Sequence, residues 1–60
     1  MNLPNDPILL MSAVNTKLRD FYSSLDILCD DLGVNRTELE EKLADIGYCY
    51  DEQLNQFAAR

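Results

Sequence analysis

Three serines, two cysteines and a group of aspartates are the side chains whose types could do chemistry, and their spacing decides which chemistry remains. Ser12, Ser23 and Ser24 would need a neighbouring base to become nucleophiles. The chain has no histidine, there is no glycine-rich elbow, and neither Lys17 nor Lys42 stands in a Ser-x-x-Lys spacing with any of the three. Cys29 and Cys49 are far apart, form no CxxC pair and have no other soft ligand nearby, which removes zinc fingers and thioredoxin-type redox motifs. Asp26, Asp30 and Asp31 could hold a divalent cation or face a basic partner. A calcium loop needs alternating acids closed by a glutamate, and that series is absent, so a solvated acidic surface is the first expectation and a basic partner the second. Gly33 and Gly47, the only glycines, cannot build a phosphate-cradling loop. No catalytic, cofactor-binding or metal-ligating residue is therefore expected, and the chain is not expected to be an enzyme.

What remains are contact residues. Asp30 and Asp31, Glu40 and Glu41, and the aromatic pair Tyr48 and Tyr50 are the candidate partner contacts. Tyrosine is enriched at interface hot spots, although on a small hairpin Tyr48, Tyr50 and Phe57 are first expected to roof the core. Asn15, Thr16, Lys17 and Arg19 read as the wet side of an amphipathic helix.

The elements that must position these residues follow from caps and periodicity. Residues 1–6, with Pro4 and Pro7 close together, are expected to run extended. Asp6 followed by Pro7 reads as an N-cap with proline at the first helical position. Met11, Val14, Leu18 and Phe21 then mark one stripe of a helix from Pro7 to about Arg19 or Asp20. Ser23, with Asp26 three residues on, resembles a capping box for a short second helix carrying Leu25, Leu28, Cys29 and Leu32, ended by Gly33. Asn35 and Glu38, with Val34 and Leu39 as a hydrophobic staple, start a third helix whose stripe is Leu39, Leu43 and Ile46, stopped at Gly47. Beyond it, Tyr48–Tyr50 and Leu54–Phe57 read as two strands around a turn at Asp51–Gln53, with 58–60 as a frayed tail. The fold class expected is mainly α, three helices and a C-terminal β-hairpin in one small domain spanning 1–60, with Leu10 added to these stripes and one hairpin aromatic completing the core.

The spacing of Ser23 to Ile46, with Gly33 at the turn, resembles a bacterial helix-turn-helix, and the hairpin would be the wing of a miniature winged helix. Charge argues against the use that shape implies. Asp6 and Asp20 cancel Lys17 and Arg19, so residues 1–22 are neutral. Nine acids face only Arg36, Lys42 and Arg60 in residues 23–60, which accounts for the whole net charge of −6. Nucleic-acid affinity rests on basic side chains that release counterions from phosphates; the face of the third helix left outside its apolar stripe offers Arg36 against Glu40, Glu41 and Asp45, and nucleic acid is not the expected partner.

With 47% hydrophobic residues in 60, the chain has material for one core but buries only roughly 60% of its unfolded surface, so stability is expected to be marginal. No apolar run approaches the ~18 residues of a membrane span. No basic start leads into an apolar stretch and a cleavage site, so the expected compartment is the cytoplasm, where both thiols stay reduced.

Over its whole length the chain is similar to a family of short uncharacterised bacterial proteins, domain of unknown function 4250. The resemblance is carried by Met1–Pro7, Val14–Asp20, Tyr22–Leu25, Leu28–Val34, Ile46–Tyr48, Tyr50–Asp51 and Asn55–Phe57. It implies no activity, ligand or catalytic residue. The function expected is a non-catalytic protein–protein interaction module, acting on a protein partner or by self-association. The alternative is a DNA-binding regulator, or an acidic mimic of DNA that occupies a DNA-binding partner.

Overall fold

A computed structural model of the chain describes residues 3–60. Of the expected extended segment, Met1 and Asn2 lie outside the described residues; Leu3–Asp6 is neither helix nor strand, and Leu3 packs against the core.

Helix α1 spans Pro7–Asp20. Asp6 caps it, Oδ1 accepting from the backbone N–H of Ile8 at 2.9 Å and of Leu9 at 3.3 Å, with Pro7 where no N–H is needed. Its buried seam is Leu10, Val14 and Leu18, an unbroken i, i+4 row. Met11 flanks the seam, but Phe21, expected as its last member, is 74% exposed. The reason is local: Phe21 is the C-cap, with φ −127° and ψ −28°, so the helical spacing that would carry it inward has already ended.

Helix α2 spans Leu25–Leu32, and its cap is Ser24, one residue later than the expected Ser23. Ser24 Oγ accepts from Ile27 N–H at 3.2 Å. With the start shifted, the expected Ser23–Asp26 capping box does not form; Asp26 sits in the first turn, where a carboxylate suits the helix dipole. Leu25, Leu28 and Cys29 are buried. Gly33, at φ +69°, takes the left-handed C-cap that side chains resist.

Helix α3 spans Arg36–Ala44, capped by Asn35, whose Oδ1 accepts from Glu38 N–H at 3.0 Å. Leu39 and Leu43 are buried, and Ile46, in the turn after the helix, packs on the core from outside. Gly47, at φ +84°, then turns the chain into the hairpin.

Strands β1 (Tyr48–Asp51) and β2 (Gln56–Ala59) pair antiparallel, Tyr50 opposite Phe57. The connection is longer than the expected turn. Asp51 Oδ1 accepts from the N–H groups of Gln53 and Leu54, Asn55 adopts a left-handed φ of +52°, and the second strand begins at Gln56. Leu54 is left in the loop, 60% exposed. The tail expected to fray is paired instead: Tyr48 lies opposite Ala59, Cys49 opposite Ala58, and Arg60 N–H donates to Gly47 O at 3.0 Å.

The buried core joins all three helices to the hairpin through Leu10, Val14, Leu18, Leu25, Leu28, Cys29, Leu39, Leu43 and Phe57. Phe57 is the hairpin's buried aromatic, while Leu32 and Val34 pack around the rim. The helix order, the short turn through Gly33 between α2 and α3 and the hairpin directly after α3 fit the layout of a winged helix-turn-helix. No helix among the described residues is long and apolar enough to cross a membrane.

Candidate functional site

The hairpin is held to α1 by side-chain amides. Because Arg60 N–H donates to Gly47 O, the alternation of an antiparallel ladder points the backbone N–H and C=O of Phe57 away from β1, off the sheet edge. Asn15 meets them both: its Oδ1 accepts from Phe57 N–H at 2.7 Å and its Nδ2 donates to Phe57 O at 3.1 Å. One asparagine thus stands in for a third strand and blunts an open edge. Asn55 ties the loop down similarly, donating from Nδ2 to Leu18 O at 3.2 Å and Tyr22 O at 2.9 Å at the end of α1, and accepting from the Tyr50 hydroxyl. Tyr50 Oη accepts in turn from Leu25 N–H at 3.3 Å, serving the start of α2.

The six candidate contact residues differ in burial and in what holds them. Tyr50 is a structural junction, half-buried, its ring tilted against Phe57 at 5.7 Å between centroids. Tyr48 is half-buried against the core. Both belong to the roof of the core. Glu40 is half-buried and accepts from Arg36 Nε at 3.3 Å. Asp30, Asp31 and Glu41 are exposed. The Tyr22 hydroxyl donates to Asp31, and that bond, before burial and charge, holds the phenol above its ordinary range. Asn15, read from sequence as solvent-facing, is half-buried and structural.

Arg36 decides the electrostatics of the helix pair. Nη1 donates to Asp26 across the α2–α3 turn at 2.7 Å, Nε donates to Glu40, and the guanidinium lies 5.5 Å from the Tyr50 ring centroid. The Asp26 bond is the largest of several influences that hold its charge more firmly than usual. Arg36 is thus satisfied within the chain, while Glu38 and Glu41 on α3 and Asp45 at its C-cap remain exposed.

The opposite side of the molecule is different in kind. A groove of about 570 Å³ runs between α1 and the hairpin loop, with Met11, Ser12, Thr16 and Arg19 on one wall and Leu54 and Gln56 on the other. Ile8 and Leu9, one turn nearer the N-terminus, are 64% and 59% exposed. From Ile8 to Thr16 there is no charged residue. Sequence reasoning overlooked this surface because Ile8 and Leu9 lie next to Leu10 in an apolar run. The signal was that a helix burying Leu10, Val14 and Leu18 on one side must turn Ile8 and Leu9 outward.

Among the described residues no three acid or thiol groups are gathered closely enough to hold a metal ion. Cys29 is buried, and that burial pushes its thiol up; Cys49 is exposed on β1, and both are free.

Residues 4–57 match the family model described as Domain of unknown function (DUF4250). No curated protein and no solved structure matches the chain.

Proposed function

We propose that this chain, which belongs to the DUF4250 family, is a non-catalytic protein–protein interaction module whose contact surface is the uncharged side of α1 with the adjoining hairpin loop. The observation that carries the reading is the exposure of Ile8 and Leu9 on the uncharged side of α1 and of Leu54 on the groove between α1 and the hairpin loop, each about 60% open to solvent. Large apolar side chains left this open, on a chain with a core this small, favour a contact surface on that side. Nucleic acid is a poor match for the rest of the molecule: Arg36 is committed to Asp26 and Glu40, and the exposed side of the helix pair would repel phosphate.

The test is a photoreactive residue placed at Leu54 in growing cells, with the same residue at Glu41 on the acidic side for comparison. Discrete protein adducts from position 54 that disappear with Leu9→Glu support the reading. An absence of adducts from position 54, or adducts indifferent to Leu9→Glu, refutes it.

A second reading, an acidic mimic that occupies a DNA-binding protein, is favoured by the exposed Asp30, Asp31, Glu41 and Asp45. It predicts that protein adducts form at position 41 rather than 54.

A further inference from the structure

The buried seam of α1 leaves an outer face made of Ile8, Leu9, Ser12 and Thr16, all exposed and all uncharged, with Arg19 at its C-terminal end and the capping Asp6 at its N-terminal end. Ser12 and Thr16 are small enough for another helix to approach closely along that line, and the groove beside them, walled by Leu54, is open to receive a large apolar side chain.

We propose that the occupant of this face is a second copy of the chain, the two α1 helices packing antiparallel about a two-fold axis near Ser12 and Ala13; the assignment rests on the interaction-module reading above and names its partner. Charge selects the occupant. Residues 23–60 together carry the whole −6 excess, so pairing through the surfaces they build brings net like charge together, whereas residues 1–22 balance to zero. The outer face of α1 is where two such chains meet without setting like charges together.

Charge also selects the orientation. A parallel pair would oppose Asp6 to Asp6 and Arg19 to Arg19. The antiparallel pair sets Arg19, 73% exposed at its side chain, near the other copy's Asp6 at both ends, and aligns the helix dipoles favourably. Arg19 spends Nε and Nη2 on Asp20, leaving further guanidinium N–H groups for a second carboxylate. The same arrangement brings Ile8 and Leu9 of each copy to the Thr16 end of the other's groove. Two-fold pairing of one surface with itself is the commonest form of self-association, and a domain of this length gains most from it.

Sedimentation equilibrium on the full chain, from micromolar to millimolar concentration, tests the pairing. The expected mass rises from 6.9 kDa toward twice that value. Leu9→Glu, at a position exposed in the single chain, is expected to weaken the dimer by at least about tenfold with an unchanged circular dichroism spectrum. Arg19→Glu also weakens it, and Glu41→Lys on the far side does not. A mass fixed at 6.9 kDa, or a dimer that survives Leu9→Glu, overturns the proposal. If a monomeric mass accompanies Leu54 adducts to other proteins, only the pairing falls; with no Leu54 adducts, the interaction-module reading falls too.

Discussion

Replacing Asn15 by alanine removes both ends of the clamp on Phe57. The two hydrogen bonds, at 2.7 and 3.1 Å, contribute about 0.5–1.5 kcal/mol each, and leaving a buried N–H and C=O without partners adds a desolvation cost of about 1–3 kcal/mol. That cost applies here because Phe57 is only 2% exposed and its outward backbone groups have no other strand to meet. A loss of about 2–6 kcal/mol follows, against a total stability on the order of 3–9 kcal/mol for a chain of this length. In urea, with a slope near 1 kcal/mol per molar for so small a domain, the midpoint falls by about 2 M or more. Asn15→Asp keeps the acceptor but sets a carboxylate against Phe57 O, so at neutral pH it resembles alanine. Below about pH 4, where a carboxyl regains its proton and can donate, its deficit narrows. Thr16→Ala is the control. Its hydroxyl donates to Ser12 O within the same helix at 2.9 Å on the exposed side, and its removal shifts stability by less than about 0.5 kcal/mol. Equal midpoints for Asn15→Ala and Thr16→Ala would refute the clamp.

Asn55→Gly sets two effects against each other. Glycine relieves the positive φ by up to about 1 kcal/mol, but loss of the bonds to Leu18 O, Tyr22 O and the Tyr50 hydroxyl costs about 0.5–1.5 kcal/mol each, so thermal melting shows net destabilisation. Tyr22 is held above its ordinary range by Asp31, so what this raised phenol contributes is fully present below the ordinary tyrosine value of about 10 and is lost as pH rises through its higher folded value. Ultraviolet titration then finds Asp31→Asn lowering the late-titrating phenol, and no change would contradict the contact. Thiol reagents label Cys49 at once and Cys29 only on unfolding, because one is exposed and the other is buried with its thiol pushed up; simultaneous labelling would show that the core opens far more readily than described.

The architecture was legible because each helix announces itself locally. Asp6 with Pro7, Gly33, and Asn35 ahead of Leu39 are cap signals that act within one turn, so no distant contact overrides them. The misjudged positions fall at helix ends, where one residue decides the outcome, or depend on contacts distant in sequence. Ser23 and Ser24 are chemically equal caps, and the role falls to Ser24. Phe21 fits a stripe on paper but lies past the last helical residue. The amides of Asn15 and Asn55 look like solvated polar groups until partners 42 and 37 positions away are placed beside them. The acidic excess could be located from sequence, but not that Arg36 is consumed by Asp26 and Glu40. Nor did composition single out the uncharged side of α1 on which Ile8 and Leu9 stand exposed.

The proposed function requires that the helix pair, whose layout fits a helix-turn-helix, does not bind nucleic acid. Fluorescence anisotropy of a labelled random-sequence duplex, titrated with the chain at low salt, tests it directly. The expected trace is flat at every concentration. Binding that weakens steeply as salt is added, the signature of counterions released by protein cations, would contradict it.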